Sequence, residues 1–176
     1  MIQNIMLESK QGVKMSKKTI PPKLATPNDL KGRQKICESI NPLVANAFAL
    51  YVKTKSFHWH MSGSHFRDYH LLFDEQAEQI FAMIDVLAER VRKLGGTTIC
   101  SINHISRLQN IKDDGIVLEP KKMIQHLMHD NKNYAAHMRT THQICADHED
   151  VATASILEVF IDETERRTWF LFETQA

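Results

Sequence analysis

A chain of 176 residues with 43% hydrophobic content is the size of one domain and can bury one sizeable core. Six glycines and five prolines exclude a loop-rich or low-complexity protein, and three cysteines in no paired motif exclude a disulfide framework and fit a reducing compartment. The net charge of +1 is unevenly placed: residues 1–35 carry eight Lys or Arg against two acids, while residues 36–176 carry fourteen against nineteen.

Residues 1–27 show no apolar periodicity and contain Lys10, Lys14, Lys17, Lys18 and Lys23 among Pro21, Pro22 and Pro27, which predicts a disordered basic arm ahead of a domain over 28–176. Met15 is an alternative initiator. The start MIQNIMLESKQGVK lacks the apolar stretch of a secretory signal, and no run of about eighteen apolar residues follows, so a soluble cytoplasmic protein with no membrane partner is expected.

After Asn28, Ile36, Ile40, Leu43, Ala47 and Leu50 recur in helical register, and the register continues through His58 and Met61. Pro42 interrupts this first helix, so either it kinks there or a new helix starts with Asn41 as its cap. Gly63 and Ser64 mark a turn, with Ser64 expected to cap a second helix that runs to Leu94 and stops at Gly95 and Gly96. Residues 97–118 form a crossover in which SINHISRLQ is the one candidate for a short helix. Pro120 opens a third helix through Met123, Leu127, Tyr134, Met138, Thr141 and Cys145. A fourth runs from about Asp150 through Ala154, Leu157, Ile161, Thr164, Thr168 and Leu171. Nothing alternates like a strand. Two hairpins joined by a long crossover predict an all-α fold, a ferritin-like four-helix bundle.

The first hairpin carries five potential metal ligands, His58, His70, Asp74, Asp85 and Glu89. At about 100° per residue Asp74 lies about 40° round the helix from His70, Asp85 about 20° from Asp74 and Glu89 about 40° from Asp85, so all four candidate ligands share one face. They cannot share one ion. Nineteen residues separate His70 from Glu89, about 28 Å of helix against a ligand bond of about 2 Å. Two copies of this helix, packed antiparallel about a two-fold axis near Gln79 and Ile80, bring His70 and Asp74 of one chain against Asp85 and Glu89 of the other. Imidazole with carboxylate suits ferrous iron and leaves a position for an oxidant, whereas thiolates would select zinc or a cluster. The Glu-x-x-His pairs of internal di-iron bundles are missing: His126 and His129 have no companion Glu, and Glu163 is followed by Arg166 where a His is needed.

The run KSFHWHMSGSHFRDYHLLFDEQAEQIFAMIDVLAERVRKLGG resembles the core signature of Dps proteins, the miniferritins, and EDVATASILEVFIDETERRTWFLFE is similar to that family's last helix. The resemblance spans about residues 30–174. It implies a homo-dodecameric shell in which ferrous iron is oxidised at intersubunit sites, preferably by hydrogen peroxide, and ferric mineral is held inside. His58, His70 and Asp74 of one subunit then face Asp85 and Glu89 of the two-fold partner, acting as both metal and catalytic residues. It also implies that Trp59 and Trp169 absorb stray oxidising equivalents, although these are most simply core or interface aromatics.

Two departures stand out. His60 replaces the Asn common after HW, and two residues from His58 it points off the ligand face. Ser155 replaces an Asp associated with the family's iron entry pore, leaving Asp147, Glu149 and Asp150 as weak substitutes. The remaining histidines, His104, His126, His129, His137, His142 and His148, are read as structural. The basic arm admits non-specific DNA binding through phosphates. An iron oxidase needs the five ligands, which are present; a nucleoid protein would need only arm and shell.

Overall fold

The computed structural model describes residues 29–175. The arm expected over 1–27 lies outside them. Five helices follow in order: α1 (Arg33–His60), α2 (Phe66–Lys93), α3 (Ile102–Leu108), α4 (Pro120–Asp147) and α5 (Val151–Glu173), with no strand among the described residues. α1 packs most extensively on α2 and α4 on α5, and the two hairpins meet chiefly through α1 and α4. This is the expected ferritin-like four-helix bundle, with the short α3 in the crossover packed on α1.

α1 runs unbroken through Pro42. The missing N–H costs one backbone bond, but Asn41 does not start a new helix; its Nδ2 donates to the Thr97 carbonyl at 3.0 Å and ties the crossover to α1. The expected Ser64 cap is also corrected. Ser64 lies in a turn closed by the Phe66 N–H on the Gly63 carbonyl, and the residue before the helix is His65, whose side chain makes no cap bond. At the other end the Gly95 N–H reaches Arg92 and the Gly96 N–H reaches Val91, with Gly95 at φ 83°, the left-handed conformation that ends helices. Gly96 has a second reason to be glycine: a Cβ there would stand 2.6 Å from Cys37 Sγ. Ser101 caps α3 by accepting the His104 N–H, and Pro120 opens α4 where its missing donor is harmless.

The core gathers Ile36, Ile40, Leu43, Leu50, Phe73, Ile80, Leu87, Leu127, Tyr134, Met138 and Leu157, all at most 2% exposed. On α5 the expected Leu157, Thr164 and Leu171 are buried, but the positions between them face inward one residue earlier than expected. Phe160 and Arg167 are buried, whereas Ile161 and Thr168 are only half-buried.

Candidate metal centre

The turn over 61–65 folds the start of α2 against the end of α1 and brings His58 beside His70. Their rings stack with centroids 3.7 Å apart. His58 Nδ1 lies 2.8 Å from the His70 carbonyl oxygen, and His70 Nδ1 lies 2.9 Å from that of His58. A carbonyl only accepts, so each Nδ1 must carry a proton, and in the neutral ring the lone pair is then on Nε2. The two imidazoles therefore fix each other's tautomer through the backbone, as histidine ligands do when the nitrogen opposite the metal bonds a carbonyl.

Asp74 lies one turn further along α2, with Oδ1 at 3.9 Å from His58 Nε2. The same oxygen receives the Lys55 ammonium at 2.5 Å. That hydrogen bond is the main reason the Asp74 carboxyl sits below its ordinary range. Lys55, three residues before His58 on α1, went unnoticed in the sequence; its signal was a cation at i−3 from a ligand, on the same helix face.

Asp85 and Glu89 are exposed further along α2, and Glu89 is bonded only to Lys93 of its own helix, at 3.0 Å. The five residues thus form two separated halves, His58 with His70 and Asp74, and Asp85 with Glu89. Among the described residues, no group of three or more His, Cys, Asp or Glu within one chain can hold a metal ion. Phe81, 56% exposed, lies about 20° round α2 from His70, so the face carrying both halves is partly apolar.

Among the described residues, the bundle interior gathers no group of carboxylates and histidines that could hold a metal. Its centre is occupied by Arg167, 2% exposed, with its Nε–H on Asn131. His60 is exposed and bonded back to the Ser56 carbonyl at 2.7 Å, off the ligand face as expected. His126, His142 and His148 have local partners in Asp114, Glu158 and the Ile144 carbonyl. Trp59 and Trp169 are 65% and 59% exposed, which removes the core reading for both. Of the substitute pore acids, Asp150 is engaged internally: 3% exposed, it accepts from Arg90 at 2.7 Å, from the Thr153 N–H at 3.1 Å and from the Thr153 hydroxyl. No helix among the described residues is long and apolar enough to cross a membrane.

The sequence profile of the ferritin-like domain family matches residues 37–175. A low-temperature-induced protein of Nostoc is 33% identical over 141 residues, covering 79% of each chain. The DNA protection during starvation protein of Brevibacillus brevis is 28% identical, over 79% of this chain and 93% of its own. Among solved structures, Dps from Thermosynechococcus elongatus superposes with a TM-score of 0.80 at 29% identity, over 82% of this chain and 92% of that one. Helix order, bundle and matched sequence agree, and the chain belongs to the ferritin-like family as a Dps-type miniferritin.

Proposed function

We propose that the protein is an iron-oxidising and iron-storing shell. Ferrous iron binds between His58, His70 and Asp74 of one subunit and Asp85 and Glu89 of its two-fold partner. Hydrogen peroxide, or oxygen, oxidises it there, and the ferric product is stored inside a cytoplasmic dodecamer. The observation that carries this reading is the reciprocal His58–His70 pair, whose neutral rings keep their Nε2 lone pairs beside Asp74 in a group that, among the described residues of one chain, does not complete a metal site. The exposed Phe81 on the same face supports a covering partner.

Each peroxide takes one electron from each of two ferrous ions. With two further waters, the products are two ferric oxyhydroxide units and four protons, so no hydroxyl radical is released. Removing both reagents together protects DNA, the role named for the Brevibacillus relative. The chain's own groups contribute a preset tautomer at two ligands, negative charge at three others, and Lys55 as a cation that must leave Asp74 when iron arrives.

That same Lys55–Asp74 contact favours a second reading, a nucleoid-associated shell that binds DNA through its basic arm and oxidises little iron. Crystals soaked in ferrous salt and measured at the iron absorption edge separate the two. Anomalous peaks within bonding distance of His70 and of Glu89 of the partner subunit are expected. An interface without iron, in a particle that still retards DNA at low salt, would establish the second reading instead.

A further inference from the structure

Each half of the proposed site carries a cation of its own chain. On the imidazole half Lys55 Nζ lies 2.5 Å from Asp74 Oδ1, and on the acid half Lys93 Nζ lies 3.0 Å from Glu89 Oε2. The first pair joins α1 to α2 across the hairpin, and the second links neighbouring turns of α2. Elsewhere on a helix an i,i+4 pair of this kind is ordinary surface decoration. Here its acid is one that the histidines of the partner subunit must meet.

Closing the two-fold interface brings Asp74 of one chain to Asp85 and Glu89 of the other and takes all three away from water. Carboxylates that share a covered site repel one another unless a cation joins them. Bound iron is such a cation, but a particle that assembles before iron arrives needs another. Two ammoniums carry the same charge as one ferrous ion.

We propose, resting on the shared site described above, that Lys55 and Lys93 are resident counter-ions that hold the two-fold interface together in the metal-free particle. Each yields its carboxylate to the incoming ion. Neither pair is sealed from solvent, the ammonium side chains being 20% and 59% exposed, so both can swing out to water when metal takes their place. Lysine and metal are then alternatives at one interface. A chain without the two ammoniums should hold its partner well only with a divalent ion bound, and by linkage it should bind that ion more tightly when assembled.

Full-length particles of the Lys55→Met, Lys93→Met double variant test this. Zinc is the probe, because it takes the same nitrogen and oxygen ligands without redox chemistry. Dissociation in urea is followed by sedimentation, once with chelator and once with zinc. In chelator the variant should come apart in less urea than the wild type, its two-fold association weakened about tenfold, the effect of two modest ion pairs. Zinc should remove the difference. Lys55→Arg with Lys93→Arg keeps both charges and should match the wild type in chelator. Equal urea midpoints in chelator overturn the proposal, and so does a loss that zinc does not restore or an arginine variant as weak as the methionine one. Calorimetric titration of the wild-type particle with zinc separates the two levels of the reading. Zinc bound by the wild type beside an unweakened methionine variant sinks the role of the lysines alone, whereas no zinc bound sinks the shared site with it.

Discussion

At the scale of single residues, the contact with most bearing on activity is Lys55 on Asp74. Asp74 Oδ1 has one strong partner in the isolated chain, an ammonium at 2.5 Å, which iron would have to displace in the proposed site. Lys55→Met should therefore tighten ferrous binding. The gain should be about two- to fivefold, since an ion pair with a partly exposed carboxylate is worth about 1 kcal/mol or less. Equilibrium titration with iron under anaerobic conditions measures it, and unchanged or weaker binding would show that Lys55 does not compete for the site. His58 and His70 behave differently, because each holds the other through a backbone carbonyl. Losing one ring leaves the other imidazole in place but unstacked.

At the scale of elements, two charged clusters fasten the ends of the bundle. Asp150 caps α5 and pairs with Arg90 of α2, with side-chain exposures of 2% and 13%. Asp150→Ala removes the cap and leaves a nearly buried guanidinium unpaired, so stability should fall by about 3 kcal/mol in chemical denaturation. A loss under 1 kcal/mol would mean that solvent reaches Arg90. The second cluster straps the crossover down: Lys53 Nζ lies 2.9 Å from Asp114, 2.8 Å from Asp130 and 2.9 Å from the Lys112 carbonyl, and His126 bonds Asp114 from α4. Burial opposes ionisation of Asp114, but Lys53 and His126 outweigh it and hold the carboxyl below its ordinary range. A depressed carboxyl contributes stability that is full above its unfolded pKa and is lost as pH falls through the folded one. Hydrogen exchange in the segment 110–119 should therefore accelerate below about pH 4 while the four long helices stay protected. Lys53→Met should remove that dependence.

Elements differed in how much of this the sequence disclosed. α2 and α4 were legible nearly to the residue, because their apolar stripes are long and Gly95, Gly96 and Pro120 punctuate them. The five candidate ligands could be singled out because their spacing on one hairpin is unusual. On α5 Leu157, Thr164 and Leu171 were legible, but Phe160 and Arg167 were not, because Phe160 and Ile161 both fit a core stripe and nothing in the adjacent pair Arg166 and Arg167 says which one turns inward. Only the facing Asn131 and Gln76, from two other helices, make room for a buried guanidinium. Lys55 was missed for a related reason: its place at i−3 from His58 marks the helix face, but its pairing with Asp74 across the hairpin is a tertiary fact.

At the scale of the whole molecule, the proposed site requires two chains. Asp74→Ala and Glu89→Ala each damage a different half, so each pure particle should be inactive in peroxide-dependent iron oxidation. When the two are co-assembled, a mixed interface has one site with both lesions and one with none. Activity should return in proportion to mixed interfaces. Verified mixed particles without any activity would count heavily against a site shared between subunits.

The spacing of the two halves along α2 also has a genetic consequence. Every site draws one imidazole half and one acid half, each from a different chain. A subunit with one lesion costs the particle one site whenever its neighbour is intact or is damaged in the same half. A cell carrying one intact and one damaged allele would lose activity in simple proportion to the damaged product, with no poisoning of the assembly. Two damaged alleles with lesions in opposite halves would partly rescue each other, whereas two with lesions in the same half would not. Allele crosses could thus map the boundary between the halves.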